Sequence, residues 1–158
     1  RSEEAVVRAI REYRPRLVFT HTSGDHHPDH NGIHLAVRRG FFRANVKKYE
    51  TGQDRHGAKR LMYFLSGRTE MPARVDFIAD ISSVWEKKVE AIRTHRSQVH
   101  GGQEGGPETY LTSDLFWPRL ESRYGYFGSL IHVRFGEPYL VEGMLRLDDP
   151  TILPDVRA

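Results

Sequence analysis

Residues 21–34, HTSGDHHPDHNGIH, bring together most of the side chains in this chain that could hold a metal ion. The stretch contains five histidines and two aspartates: His21, His26, His27, His30 and His34, with Asp25 and Asp29. The chain has no cysteine, so thiolate ligands and thiolate catalysis are excluded. Imidazole and carboxylate are the ligands that zinc accepts when thiolate is absent. The pattern therefore predicts a metal site in this stretch.

Three residues of this stretch carry the sharpest chemical prediction. His27 and His30 are three positions apart and are bent by Pro28, so their rings can point into one cavity. Asp29 lies between them and could bind the metal or hold a histidine in one tautomer. An imidazole with a carboxylate behind it is a good acid, because its protonated form is stabilised. By contrast, His21 is expected only to form local hydrogen bonds, and His34 is expected to be partly exposed.

The elements around the stretch must place these side chains. Apolar residues at helical spacing, with Ser2 as N-cap and Pro15 as the stop, predict an amphipathic helix. Residues 17–20 read as a short buried strand. Pro28 suits the first turn of a helix that runs toward Gly40. His27 and Asp29 are then expected where a strand ends and a helix begins, which is where open α/β sheets bind ligands.

The remainder of the chain predicts alternating strands and helices within one α/β domain, residues 1–158. A capping box of Ser83 and Glu86 is expected to start a long helix. A later helix is expected to begin at Ser113 or Asp114. The other predicted segments are strands at 61–65, 75–81 and 129–135, a covering segment from 136, a flexible glycine-rich loop at 101–107 and a loosely packed tail at 148–158.

Composition limits the classes of partner. Hydrophobic residues make up 38% of the 158 residues and charged residues 28%, which is typical of a globular protein. The net charge is +3 and the basic residues are dispersed, so no nucleic-acid partner is expected. No apolar run approaches the length of a membrane span. The expected location is the cytoplasm, and the expected partner is a small molecule, with homo-oligomerisation left open.

Two alternatives remain for the metal chemistry. Residues 25–30, DHHPDH, match the HxHxDH motif of dinuclear metallo-β-lactamase-type hydrolases, except that Asp25 replaces the first histidine. Such a hydrolase needs downstream ligands, for which His95, His100 and His132 are available. The other alternative is a metal-binding module without catalytic activity.

Three stretches in order resemble the LmbE-like, or PIG-L, family of zinc-dependent deacetylases: RPRLVFTHTSGDHHPDH, then residues 80–99, then residues 121–140. The resemblance implies a Rossmann-like sheet with flanking helices. It also implies a zinc cofactor and removal of acetyl from N-acetylglucosamine-bearing substrates. Within the family the pattern is most similar to the bacillithiol-biosynthesis branch, which acts on N-acetylglucosaminyl malate.

The resemblance also implies roles for individual residues. His30 corresponds to a zinc ligand. His27 corresponds to the histidine that stabilises the oxyanion or protonates the leaving amine, and Asp29 to the carboxylate that orients it. His26 stands where some relatives carry a substrate-binding arginine. Arg123 and Glu137 occupy motif positions that support the architecture of the site, and Arg123 is also expected to contact the substrate.

One part of the family pattern has no counterpart here. The His-Pro-Asp-Asp turn that supplies the remaining zinc ligands and the general base is not present in the sequence. The chain is therefore expected to be the C-terminal portion of such an enzyme, without its N-terminal βαβ unit. By itself it is expected to bind zinc weakly and to lack deacetylase activity. Phe135 also replaces a family tyrosine.

Overall fold

The structure, a computed structural model, describes residues 2–65, 75–99, 109–149 and 151. The described elements are α1 (Ser2–Tyr13), β1 (Leu17–His21), α2 (Pro28–Ala44), β2 (Arg60–Phe64), β3 (Phe77–Asp80), a 3₁₀ turn (Ser82–Val84), α3 (Trp85–Arg93), α4 (Arg96–Val99), α5 (Phe116–Ser129) and β4 (Gly136–Val141). The strands form one open sheet in the order β1-β2-β4-β3. β1 and β2 are parallel, and β4 is antiparallel to β2. The predicted α/β class is confirmed.

The chain divides into two compact units. Unit 1 comprises residues 1–77 and 139–150, and unit 2 comprises residues 78–138 and 151–158. The predicted glycine-rich loop at 101–107 lies outside the described residues, as does most of the predicted tail at 148–158. In the described part of the chain, no helix has both the length and the apolar character needed to cross a membrane.

In unit 1, α1 and α2 pack together and against β1 and β2. The buried side chains at these contacts are Val7, Ile10, Val37, Ala44, Leu61 and Tyr63. Gly40 sits inside α2, where glycine normally weakens a helix. A Cβ at Gly40 would lie 2.6 Å from Cγ1 of Val6, so only glycine permits this close approach of α1. The contact fixes how α2, and with it the histidine turn at its N-terminus, lies on the sheet.

Two glycines of α2 allow a matched test of this contact. Gly40→Ala is expected to destabilise the protein by about 1–3 kcal/mol, because the added methyl overlaps Val6. Gly32→Ala, with nothing within 4 Å of its new Cβ, should instead stabilise by roughly 0.5–1 kcal/mol through helix propensity. Urea denaturation of the two variants measures both effects. Equal stability of the two variants would contradict the close-packing argument.

β1 is not the buried strand that its apolar sequence predicted. Leu17 is 44% exposed and Phe19 46% exposed, whereas Val18 and Thr20 face the helices. Successive side chains of a strand point to opposite faces, and α1 and α2 cover only one of them. β1 is also an edge strand of the sheet. α2, for its part, continues past the predicted end at Gly40 to Ala44.

Two further predictions, both in unit 2, are wrong. The Ser83–Glu86 capping box does not form, since a 3₁₀ turn precedes α3 and its N-cap, Val84, makes no side-chain hydrogen bond. Asp80 instead accepts a hydrogen bond from the Ser82 backbone N–H at 2.9 Å.

The strand predicted at 129–135 is also absent. This segment contains the end of α5 and a turn, and the strand begins only at Gly136. A Cβ at Gly128 would lie 2.7 Å from the Val133 carbonyl oxygen, so a close approach of backbone segments forms this turn.

Candidate metal centre

The histidine turn between β1 and α2, residues 21–30, is held by its own polar groups. Gly24 adopts φ of 77°, a conformation that favours glycine. Its backbone N–H donates to the Asn31 side chain at 3.1 Å, and the Asn31 amide donates to the Asp25 carbonyl. His27 is the N-cap of α2 and Pro28 occupies the first turn, as predicted. The turn is therefore anchored to a long helix rather than free to adopt many conformations.

Asp25 lies at the centre of the turn, with its side chain fully buried. Its Oδ1 accepts the backbone N–H of His27 at 2.9 Å and lies 3.2 Å from Nδ1 of His26. Its Oδ2 lies 3.1 Å from Nδ1 of His30. A buried carboxylate is costly unless positive charge or hydrogen-bond donors surround it. The Asp25 carboxylate is thus placed where a cation would be favoured.

His21 and His30 complete the group. Their rings stack with centroids 4.0 Å apart. Nδ1 of each ring is buried, and neither atom has a hydrogen-bond partner of good geometry among the described residues. Possible ligand atoms of His21, Asp25 and His30 all lie within 4.8 Å of one another. Ligand atoms of a tetrahedral zinc site with bonds of about 2.0–2.2 Å are roughly 3.3–3.6 Å apart, so small side-chain rotations would close the group on one ion. The residues fit a zinc ion.

The surroundings of the His21 ring favour metal binding. Burial lowers the pKa of the His21 imidazole, and the neighbouring His30 lowers it further. The neutral imidazole, which is the form that binds metals, is therefore favoured at neutral pH. Nδ1 of His34 lies 2.7 Å from the His21 carbonyl oxygen and ties the end of β1 to α2. His34 is buried, contrary to the expectation that it is partly exposed.

His27 is half-exposed beside the group, with its ring stacked 4.7 Å from that of His30. Its Nδ1 accepts the backbone N–H of Asp29 at 3.2 Å. The proton of neutral His27 is therefore on Nε2, which leaves an N–H donor on the other side of the ring. The Asp29 carboxylate is 91% exposed and its Oδ2 lies 4.0 Å from Nδ1 of His27. Asp29 orients His27 through its backbone amide, and a role for its carboxylate stays a prediction.

The other predicted site residues lie in different surroundings. His26 is in the turn, half-exposed, beside Asp25. Arg123 is partly buried in α5, within unit 2. Glu137, also in unit 2, accepts a hydrogen bond from Lys88 at 2.8 Å. Substrate contacts by His26 and Arg123 stay predictions.

Sequence reasoning did not assign His21 and Asp25 to the metal. Both were visible in the same fourteen-residue stretch, and His21 stands at the carboxyl end of a strand, where ligands are expected. Their convergence depends on how the turn brings residues 25 and 30 back beside residue 21.

The dinuclear alternative gains no support from the described residues. Among these, one group of at least three possible ligands is found. His95 and His132, proposed as downstream ligands, are exposed residues of unit 2. His100 lies outside the part of the chain that is described.

No model of a known protein family matches the chain. Three solved structures are similar to it. A conserved protein from Thermus thermophilus has a TM-score of 0.75 at 23% identity, with 94% of this chain and 61% of that one covered. The 4-carboxy-2-hydroxymuconate hydratase GalB of Pseudomonas putida has a TM-score of 0.71 at 18% identity, with 94% and 60% covered.

The third is the N,N'-diacetylchitobiose deacetylase of Pyrococcus horikoshii, with a TM-score of 0.66 at 20% identity and 89% and 50% covered. The chain thus spans between half and about 60% of the length of these structures. At such identities the likeness establishes the fold. The chain therefore has the open-sheet α/β fold that a deacetylase and a hydratase share, and it carries a His/Asp group within that fold.

Proposed function

We propose that this chain carries the metal site of a zinc-dependent hydrolase that removes acetyl from an N-acetylglucosamine-containing small molecule. The observation that supports this most is the fully buried Asp25 carboxylate beside two imidazoles whose buried Nδ1 atoms have no well-formed hydrogen bond among the described residues. The fold likeness to a deacetylase and the HPDH resemblance agree with it. More finely, we propose N-acetylglucosaminyl malate as the substrate, on the resemblance to the bacillithiol branch.

Each residue then has a task. His21, Asp25 and His30 would hold the ion, and water or another segment would supply any further ligand. Bound zinc would acidify a coordinated water and polarise the acetamide carbonyl. His27 donates its Nε2–H to the oxygen on which negative charge develops, because its Nδ1 is already engaged by the Asp29 amide. Supplying a proton to the leaving amine would instead require the protonated ring, in which Nδ1 could no longer accept from the Asp29 amide.

Zinc titration by calorimetry tests the metal site directly. Metal-free protein is expected to bind one zinc per chain, more tightly than the single ligand assigned from sequence would allow. His30→Ala should weaken binding at least tenfold, whereas His95→Ala, which alters an exposed histidine outside the group, should leave it unchanged. Two zinc ions per chain would favour the dinuclear alternative. No measurable binding would contradict the proposed centre.

Acetate release tests the reaction. This chain alone is expected to release no acetate, because no general base is assigned in it. Joined to the His-Pro-Asp-Asp segment that the family resemblance implies, the zinc-loaded protein should release acetate from N-acetylglucosaminyl malate faster than from N-acetylglucosamine. His27→Gln should lower kcat by about 10²–10³-fold while zinc affinity is retained, because His27 acts on the oxyanion and not on the metal. Zinc binding without acetate release from either compound, even with that segment restored, would favour the non-catalytic metal-binding module.

The likeness to GalB favours a second candidate, the hydration of an unsaturated carboxylic acid. Deacetylation and hydration both need an activated water, so one metal group could serve either reaction. Incubation with 4-carboxy-2-hydroxymuconate separates them. Loss of the conjugated absorbance without any acetate release from the amino sugars would establish the hydratase.

A further inference from the structure

The side chain of Asn31, in the first turn of α2, bridges the histidine turn from one end to the other. Its Oδ1 accepts the backbone N–H of Gly24 at 3.1 Å. Its Nδ2 donates to the Asp25 carbonyl oxygen and, over 3.4 Å, to the His27 carbonyl oxygen. One side chain of the helix therefore contacts the backbone of the turn at three points, between four and seven residues earlier in the chain.

These three contacts require both halves of an amide. Gly24 offers an N–H donor, whereas Asp25 and His27 offer carbonyl acceptors. The side chain at position 31 must therefore accept on one side and donate on the other, which asparagine does. A carboxylate of the same shape could accept from Gly24, but it has no hydrogen to give to the two carbonyl oxygens.

The contact with Asp25 bears on the metal group, of which Asn31 is not a member. Asn31 holds the Asp25 backbone through its carbonyl oxygen, and the His27 backbone N–H holds Oδ1 of the Asp25 carboxylate at 2.9 Å. The other carboxylate oxygen, Oδ2, lies 3.1 Å from Nδ1 of His30. Groups of the protein itself thus fix both the backbone and the side chain of this buried residue. A ligand that is already in place loses less conformational freedom when it binds an ion.

We propose that Asn31 is a positioning residue for the metal group, one that keeps the Asp25 carboxylate in its ligand position by holding the backbone of the turn. The inference rests on the metal site proposed above. Zinc affinity then depends on a side chain that does not touch the ion, and the histidine turn is closed before the ion arrives.

Zinc affinity, measured by competition with a zinc-sensitive dye, gives the first test. Asn31→Ala removes all three contacts and should weaken zinc binding at least tenfold. Asn31→Asp adds a negative charge near the group, which alone would strengthen cation binding. It should nevertheless weaken binding at least threefold, because its second oxygen faces two carbonyl oxygens. Asn45→Ala, the same change at the exposed C-cap of α2, is the matched control and should leave affinity unchanged.

Solvent exchange of the His27 amide, measured by NMR, gives a readout that a loss of general stability would not mimic. This N–H donates to the Asp25 carboxylate and not to Asn31, so its exchange reports whether Asp25 stays in place. In metal-free Asn31→Ala it should exchange at least tenfold faster than in the native protein. Excess zinc should slow it again, because the ion would then hold the carboxylate. In Asn45→Ala the exchange should match that of the native protein.

Two results would overturn the role of Asn31. One is zinc affinity that is unchanged in Asn31→Ala, or unchanged or raised in Asn31→Asp. The other is a His27 amide that exchanges as slowly in metal-free Asn31→Ala as in the native protein. Failure of the native protein to bind zinc would refute the proposed function instead, and the exchange rates of the metal-free proteins would still show whether Asn31 holds Asp25.

Discussion

Replacing Asp25 with Asn is expected to reduce zinc affinity at least 100-fold. The substitution keeps the size of the side chain but removes the one buried negative charge of the metal group. It also replaces one of the two acceptor oxygens with an NH₂ group. That NH₂ would face either the His27 backbone N–H or an imidazole. Competition with a zinc-sensitive dye measures the change.

The control for this variant lies four residues away. Asp29→Asn removes a carboxylate of the same turn that is 91% exposed, and it should change zinc affinity less than threefold. Circular dichroism of both variants separates loss of metal from loss of fold, because the turn also depends on the Asp25 side chain. Similar zinc affinity for Asp25→Asn and the native protein would show that the carboxylate does not face the metal.

Replacing Arg11 with Met is expected to destabilise the protein by roughly 3–5 kcal/mol, the largest effect on stability that we foresee. The side chain is buried on α1, and its guanidinium donates to four backbone carbonyls and one hydroxyl, at distances between 2.7 and 3.4 Å. These acceptors are the carbonyls of Arg43, Ala44, Tyr49 and Val46 and the Thr51 hydroxyl. Methionine fills a similar volume but leaves these oxygens without donors.

Urea denaturation of Arg11→Met measures this cost, with Arg39→Met on an exposed position as the matched control. Arg11→Lys should fall between them, since one ammonium cannot reach all five acceptors. A loss below 1 kcal/mol in Arg11→Met would mean that water replaces the guanidinium in the adjoining cavity of about 670 Å³, which Arg11 lines.

The sequence predicted the first half of unit 1 well because its signals are local. Helical spacing with Pro15 as a stop predicted α1, and Pro28 predicted the start of α2. HPDH also placed His27 and His30 at the strand-to-helix turn. Each of these features depends on residues within one or two turns of one another, and their propensities agree with the fold.

The failures concern features that depend on how separate segments fold against one another. Residues 129–135 have strand-like composition, but the approach of Gly128 to the Val133 and Arg134 backbone makes this segment a turn. Apolar β1 suggested burial on both faces, yet burial depends on which faces the helices cover. His21 joins the metal group only when the turn folds back, and spacing along the sequence does not encode that geometry.

The exposed edge of the sheet has a practical consequence for handling the protein. β1 places Leu17 and Phe19 on the face away from α1 and α2, and its outer side has no partner strand among the described residues. Such an edge is a template for intermolecular strand addition, and apolar side chains strengthen it. We therefore expect concentrated samples to self-associate through β1, and a charged residue at position 17 or 19 should reduce that association.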